Sequence, residues 1–177
     1  MNKTLDPTVD QAFNLAVEAH RGQYRKGNCE PYVCHPIRVW WLVRDARLNV
    51  FVQAAALLHD VLEDTDRGIL EFPRPIQCMV LALTKPEGGN KQDGIDKLRA
   101  EGNHGAVMIK LADRLDNLNT STDAKMVNSF LPSTQELLSL ARDLTLNESV
   151  PGLYEALFTE TATALNYGVP GGFKKPE

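Results

Sequence analysis

The chain has 177 residues, 43% of them hydrophobic, and a formal net charge of −4. That length and apolar content predict one globular domain spanning residues 1–177, with a sizeable core. The charge argues against a nucleic-acid track, and no stretch approaches the roughly 20 apolar residues that a membrane span needs.

The first ten residues, MNKTLDPTVD, carry no hydrophobic segment of the signal-peptide kind, so a cytoplasmic location is the default expectation. Pro7-Thr8 then gives a helix start, with Ala12, Leu15, Ala16 and Ala19 at helical spacing up to about His20. The polar stretch RGQYRKGNCEPY predicts a loop. Pro36 suits a first helical position, and the run from Ile37 to Val43 makes the second helix. A third helix covers about residues 50–63. Pro73 and Pro75 frame a fourth, ending near Leu83; KPEGGNK is a turn. Helices are expected over 91–100 and from His104 to Asn119. One near 123–130 should break at Pro132, with a capping box at Ser133–Glu136 opening the next. Pro151 starts a last helix running to about Asn166, and residues 167–177 form a frayed tail. Period-two alternation is nowhere sustained, so the predicted fold class is all-α.

Three cysteines at positions 29, 34 and 78, without CxxC spacing, argue against a disulfide framework or a zinc finger. They read as reduced, structural thiols; Cys34, beside His35, is a conceivable soft ligand among harder candidates. Between Arg21 and Arg47 six basic residues face only Glu30 and Asp45, a pattern that suits a small anionic ligand or a solvated face.

The segment with chemistry is LLHDVLEDT, residues 57–65. On one continuous helix, Glu63 would follow His59 by four residues and Asp64 would follow Asp60 by four, which places the four side chains on neighbouring parts of one face. Three carboxylates gathered beside an apolar run need a cation or a proton to compensate their burial. A divalent metal is the simplest compensation. Imidazole and carboxylate suit Mn, Fe or Zn, and the remaining ligands must come from other segments. His35, at the head of the second helix, and Asp113, in the apolar stretch VMIKLAD, are the candidates. His35, His59, Asp60 and Asp113 would then leave positions open for water and a phosphate oxygen. His20 and His104 read as ordinary helix-terminus histidines. This constellation requires three separated segments to meet.

In their order, GQYRKGNCEPYVCHP, ALLHDVLEDTD, ALTK and IKLADRLDN resemble the hydrolase domain of RelA/SpoT-type alarmone enzymes, and especially the free-standing small alarmone hydrolases. The likeness covers about residues 8–120; residues 121–166 match only in being helical. It implies an all-α HD-domain helical bundle, a divalent metal that is usually manganese, and removal of the 3′-pyrophosphate from the guanine nucleotides ppGpp and pppGpp. It carries the metal ligands onto His35, His59, Asp60 and Asp113, and the catalytic acidic pair onto Glu63 and Asp64. Arg25, with Lys26 beside it, takes the base contact. Asn117 and Thr120 fall where the family meets sugar and phosphates, and Lys26, Arg25 or Lys110 would neutralise the distal phosphate.

Two departures stand out. The stretch from Arg25 to His35 is one residue longer than the family pattern, which predicts a bulge at Asn28-Cys29. The family's LADRLHN is LADRLDN here, so Asp116 either adds a negative charge beside the site or faces solvent. The competing readings are a phosphatase acting on another ester such as the 2′-phosphate of NADPH, a nucleotide sensor without turnover, and a structural helical module. A homo-oligomer joined through Trp40, Trp41 and the last helix is a further expectation.

Overall fold

A computed structural model describes residues 5–25, 29–121 and 123–167. The expected frayed tail therefore lies, apart from Tyr167, outside the described residues. The elements are α1 (Pro7–Ala19), α2 (Cys34–Asp45), α3 (Val50–Leu58), α4 (Val61–Asp64), α5 (Arg74–Leu83), α6 (Lys91–Glu101), α7 (His104–Thr120), α8 (Ala124–Asp143), α9 (Leu146–Ser149) and α10 (Pro151–Tyr167). Among the described residues there is no strand, only an isolated bridge between Tyr24 and Pro31. The all-α expectation holds. No helix of the described chain is long and apolar enough to cross a membrane.

Local chemistry explains most helix starts. Asp6 accepts the Thr8 amide at 2.9 Å ahead of Pro7 at the first position of α1. Asn49 accepts the amides of Phe51 and Val52 at the head of α3. Asn90 and Asp93 form a capping box on α6, which ends on Gly102 at φ 58°, a conformation glycine adopts without strain.

The core is organised by α3 and α7. From Ala54 to Leu58 every residue of α3 is fully buried, because α1, α2, α5 and α7 surround it. The next layer forms where α7 packs against α2, α5, α8 and α10. Trp40 is part of this core, so of the two tryptophans considered for an interface only Trp41 is exposed, with the Arg44 guanidinium 4.8 Å from its ring centroid.

Two expectations about helices are corrected. The helix predicted over 50–63 stops at Leu58 and resumes at Val61. The His59 ring takes the Ala56 carbonyl through Nδ1 at 2.8 Å, a carbonyl that an unbroken helix would give to the amide of Asp60. Asp60 turns to φ −100° and ψ −6°, and α4 begins after it. The break predicted at Pro132 does not occur: α8 runs through it. Ser133, expected to cap a new helix, instead donates its hydroxyl back to the Phe130 carbonyl at 3.1 Å, as Thr134 does at 2.7 Å. The buried Arg114 guanidinium donates to the same carbonyl at 2.9 Å, so tertiary contacts hold the turn around the proline together.

Candidate active site

His35 lies in the first turn of α2, the His59–Asp60 pair in the break between α3 and α4, and Asp113 in the middle of α7. The three segments meet. His35 Nε2 is 3.1 Å from Asp113 Oδ1 and 3.6 Å from Asp60 Oδ2. His59 Nε2 is 3.2 Å from Asp60 Oδ2 and 3.9 Å from Asp113 Oδ1. Donor atoms of His35, His59 and Asp113 all lie within 4.8 Å of one another. Both imidazoles are held from behind: Nδ1 of His59 bonds the Ala56 carbonyl, and Nδ1 of His35 bonds Asp116 Oδ2 at 2.7 Å. Their Nε2 atoms therefore turn toward the carboxylates.

The donor set passes a simple test of fit for a divalent ion. His59 Nε2 is buried and makes no hydrogen bond. An orphaned imidazole nitrogen beside the buried Asp113 and half-buried Asp60 carboxylates costs free energy unless a cation or protons fill the gap. Two nitrogens and two carboxylate oxygens suit Mn, Fe, Co or Zn. With no ion, protons take up the charge. Burial disfavours a charged His35, but hydrogen bonds to Asp113 and Asp116 overcome it and push the imidazole up to about 9. His59 also moves up, against its burial, because of Asp60. Asp60 moves down, chiefly through His59. Asp113 is held well below the usual range by Lys110 and His35. Cys34 is not in the cluster; Cys29 and Cys78 are exposed, which corrects their reading as structural thiols.

The floor opens into a cleft. Its acidic side carries Glu63 and Asp64 at the end of α4. Glu63 accepts the Lys85 amide at 2.7 Å and pairs with its ammonium at 3.0 Å. Asp64 Oδ2 lies 2.7 Å from the Tyr32 hydroxyl, which is also 2.7 Å from Asp60 Oδ2. Asp60 and Asp64 therefore do share a side, as their spacing suggested, although the helix between α3 and α4 is broken. Lys85, Lys91, Lys110 and Arg114 also line the cleft. Lys110 Nζ is 2.8 Å from Asp113 Oδ2, and Lys91 Nζ sits 3.9 Å from the Phe130 ring centroid.

Arg25 also lines the cleft, donating to Asn117 Oδ1 at 2.7 Å and to Asp116 Oδ2 at 3.3 Å. Asn117 in turn donates to Asp113 Oδ1 at 2.5 Å. Thr120 does not line the cleft; its hydroxyl donates to the Asp116 carbonyl of its own helix at 2.7 Å. Lys26 lies outside the described residues, as does Asn28 of the expected bulge; Cys29 has φ 54°, a left-handed backbone.

The polar and aromatic side chains that line the cleft without a role assigned from sequence are Tyr32, Lys85, Lys91, Arg114 and Phe130. Tyr32 is legible only within the segment GQYRKGNCEPYVCHP, and Lys85 only within ALTK. Lys91 and Phe130 gave no signal, because nothing local marks residues that converge from α6 and α8. Asp116 is 4% exposed, which settles its position: it lies against the site and not in solvent. Burial works against its ionised form, but His35 and Arg38 outweigh that and lower its pKa.

The HD-domain family profile matches residues 12–136. A guanosine-3′,5′-bis(diphosphate) 3′-pyrophosphohydrolase from Borreliella burgdorferi is 31% identical over 142 residues, 73% of this chain and 20% of that protein. The bifunctional (p)ppGpp synthase/hydrolase SpoT of Escherichia coli is 34% identical over 125 residues, 62% of this chain and 17% of that one. This chain thus matches a fifth or less of the length of these relatives. A solved structure of a metazoan ortholog of SpoT that hydrolyzes ppGpp and plays a role in starvation responses is 26% identical, with a TM-score of 0.75. That match covers 91% of this chain and 97% of the other.

Proposed function

The chain belongs to the HD-domain family, and from that premise we propose that it is a metal-dependent hydrolase removing the 3′-pyrophosphate from ppGpp or pppGpp, with GDP or GTP and pyrophosphate as products. The observation that carries this reading is the orphaned His59 Nε2, turned toward a second imidazole and two carboxylates at the floor of a cleft walled by cations. The names of the relatives supply the substrate class.

The proposed metal ligands are His35, His59, Asp60 and Asp113, and the proposed ion is manganese, by resemblance to the RelA/SpoT-type hydrolases. When bound, a divalent ion supplies Lewis acidity that lowers the pKa of water and polarises a phosphoryl oxygen. Glu63 and Asp64, on the rim of the floor, orient the attacking water and accept its proton. Lys85 fixes Glu63 through two contacts, and the Tyr32 hydroxyl fixes Asp64, so neither carboxylate has to be ordered when substrate arrives. Water adds to the phosphorus attached to the ribose 3′ oxygen, the bond between them breaks, and the 3′ oxygen regains a proton. Lys85, Lys91 and Lys110 face the departing pyrophosphate and offset its charge. Arg25 packs on the guanine base and Asn117 contacts the sugar.

We read residues 1–177 as one such domain, with the helices after Thr120 closing the cationic wall through Phe130. The compartment that fits a nucleotide substrate is the cytoplasm. The test is incubation with ppGpp and Mn²⁺, with and without chelator, followed by nucleotide chromatography. GDP and pyrophosphate should appear only with metal. Tight ppGpp binding without product, or orthophosphate release from NADPH with ppGpp untouched, would replace this reading with one of its rivals.

A further inference from the structure

Asp116 occupies the position where the RelA/SpoT-type motif has histidine, and nothing in the reaction described above uses it. Its surroundings are not those of a surface carboxylate. It is 4% exposed and receives donors from three side chains, Arg25 in the loop after α1 and His35 and Arg38 on α2. Oδ2 is 2.7 Å from His35 Nδ1 and 3.3 Å from Arg25 Nη1. Oδ1 accepts Arg38 Nε at 2.6 Å, and Arg38 Nη2 reaches Oδ2 at 3.2 Å. Arg38 is itself clamped from the far side by Glu30, at 2.6 and 3.0 Å. The carboxylate therefore has one orientation available to it.

We infer that Asp116 is a positioning residue: it holds His35 with its proton on Nδ1, so that the Nε2 lone pair is presented to the metal cluster. A neutral imidazole carries one ring proton, and the hydrogen bond at one nitrogen decides which nitrogen is left to act as ligand. An acceptor-only carboxylate at 2.7 Å from Nδ1 admits just one of the two tautomers. His59 reaches the same result with a backbone carbonyl, Ala56. The two ligands thus have supports of different kinds: one is built into the main chain, and the other depends on a single side chain that can be replaced. Asp116 also ties His35 to Arg25, so the ligand and one wall of the cleft share an anchor.

This inference rests on the metal-site reading, and the experiment separates the two. Mn²⁺ is titrated calorimetrically into the metal-stripped full chain and into the Asp113→Asn, Asp116→Asn and Arg38→Gln variants, with melting of each apo protein recorded alongside. Asp116→Asn should keep one site and weaken its affinity about 10- to 100-fold, the usual consequence of losing an outer-shell partner of a ligating histidine. Arg38→Gln, which loosens Asp116 without touching His35, should lose less, roughly three- to tenfold on the same grounds. A purely structural role would lower melting and leave Mn²⁺ affinity where it was. Wild-type affinity in Asp116→Asn, or in Arg38→Gln if the first variant does not fold, overturns the inference. Absence of binding in the wild type, or unaltered binding in Asp113→Asn, instead overturns the metal site itself.

Discussion

Two adjacent residues of α7, Asp113 and Arg114, are both buried and charged, yet they sit in opposite kinds of surroundings. Arg114 turns toward α8. Its Nη1 donates to the Phe130 carbonyl and to the hydroxyls of Ser133 and Thr134 at 2.8–2.9 Å, and its guanidinium carbon lies 4.7 Å from the Phe130 ring centroid. That cluster pairs Nη1 with acceptors the protein itself provides and leaves the buried Nε without a partner. Asp113 turns toward α2 and the break after α3, where acceptor atoms gather and His59 Nε2 has no partner. Buried polarity paired largely within the protein stabilises a helix pair; buried polarity left with converging lone pairs needs a cation or protons to compensate it. Burial alone does not separate the two cases, since Asp113 is 5% and Arg114 2% exposed. Partner chemistry does.

The largest effect should come from the open side. Asp60→Ala should abolish Mn²⁺ binding and reduce turnover by about 10³-fold or more, because Lewis-acid stabilisation is worth several kcal/mol. Calorimetry and a chromatographic assay with ppGpp check both halves, and turnover near the wild-type rate would close the open cluster without a metal. Glu63→Gln comes next. It removes a proton acceptor from the rim and no ligand from the floor, so metal affinity should hold while kcat falls on the order of 10²-fold. A normal kcat would take Glu63 out of the chemistry and leave it as a partner of Lys85.

The pH dependence is a finer probe of the open cluster. His35 has its folded-state pKa raised from 6.5 to about 9, with Asp113 and Asp116 outweighing burial. In the metal-free protein a raised imidazole contributes stability that is complete below pH 6.5 and is lost as pH climbs through about 9. Metal needs the neutral ring, so its affinity runs the other way, rising by roughly tenfold per pH unit for each proton displaced until about pH 9. Melting curves with and without Mn²⁺ between pH 6 and 10 should therefore diverge as pH increases. Parallel curves would mean that the imidazoles and the ion do not compete.

The closed side supplies the contrast. Arg114→Met should cost on the order of 2–4 kcal/mol, since three buried oxygens lose a charged donor. For a chain of this size that lowers Tm by about 5–15 °C. Mn²⁺ affinity should be unchanged. If the variant instead loses metal with no change in melting, the division between the two neighbours is wrong.

This contrast also explains what could be read from the sequence. Helical spacing, prolines and caps revealed the all-α fold because those signals are local: Asp6, Asn49 and Asn90 cap the helices they precede. The meeting of His35, His59, Asp60 and Asp113 was legible because imidazole and carboxylate groups beside apolar runs need compensation wherever the chain takes them. What escaped was decided at a distance. The break at His59 depends on a ring reaching back to Ala56, and the continuity of α8 through Pro132 depends on Arg114 arriving from α7. Lys91 and Phe130 converge on the cleft from helices whose packing no local pattern encodes.

The smallest effect is expected at Arg25, which stands between the two regimes. Its guanidinium is partly committed, to Asn117 at 2.7 Å and Asp116 at 3.3 Å, yet it lines the cleft and its side chain is 11% exposed. A guanidinium stacked on a base contributes on the order of 1 kcal/mol, which corresponds to about a fivefold rise in KM for Arg25→Ala. A base contact made equally in the ground and transition states would leave kcat close to the wild-type value. A fall in kcat with KM unchanged would move Arg25 into transition-state stabilisation. A loss of Mn²⁺ affinity in this variant would show that its bonds to Asn117 and Asp116 reach the proposed metal ligands behind them, and that the cleft wall and its floor act as one unit.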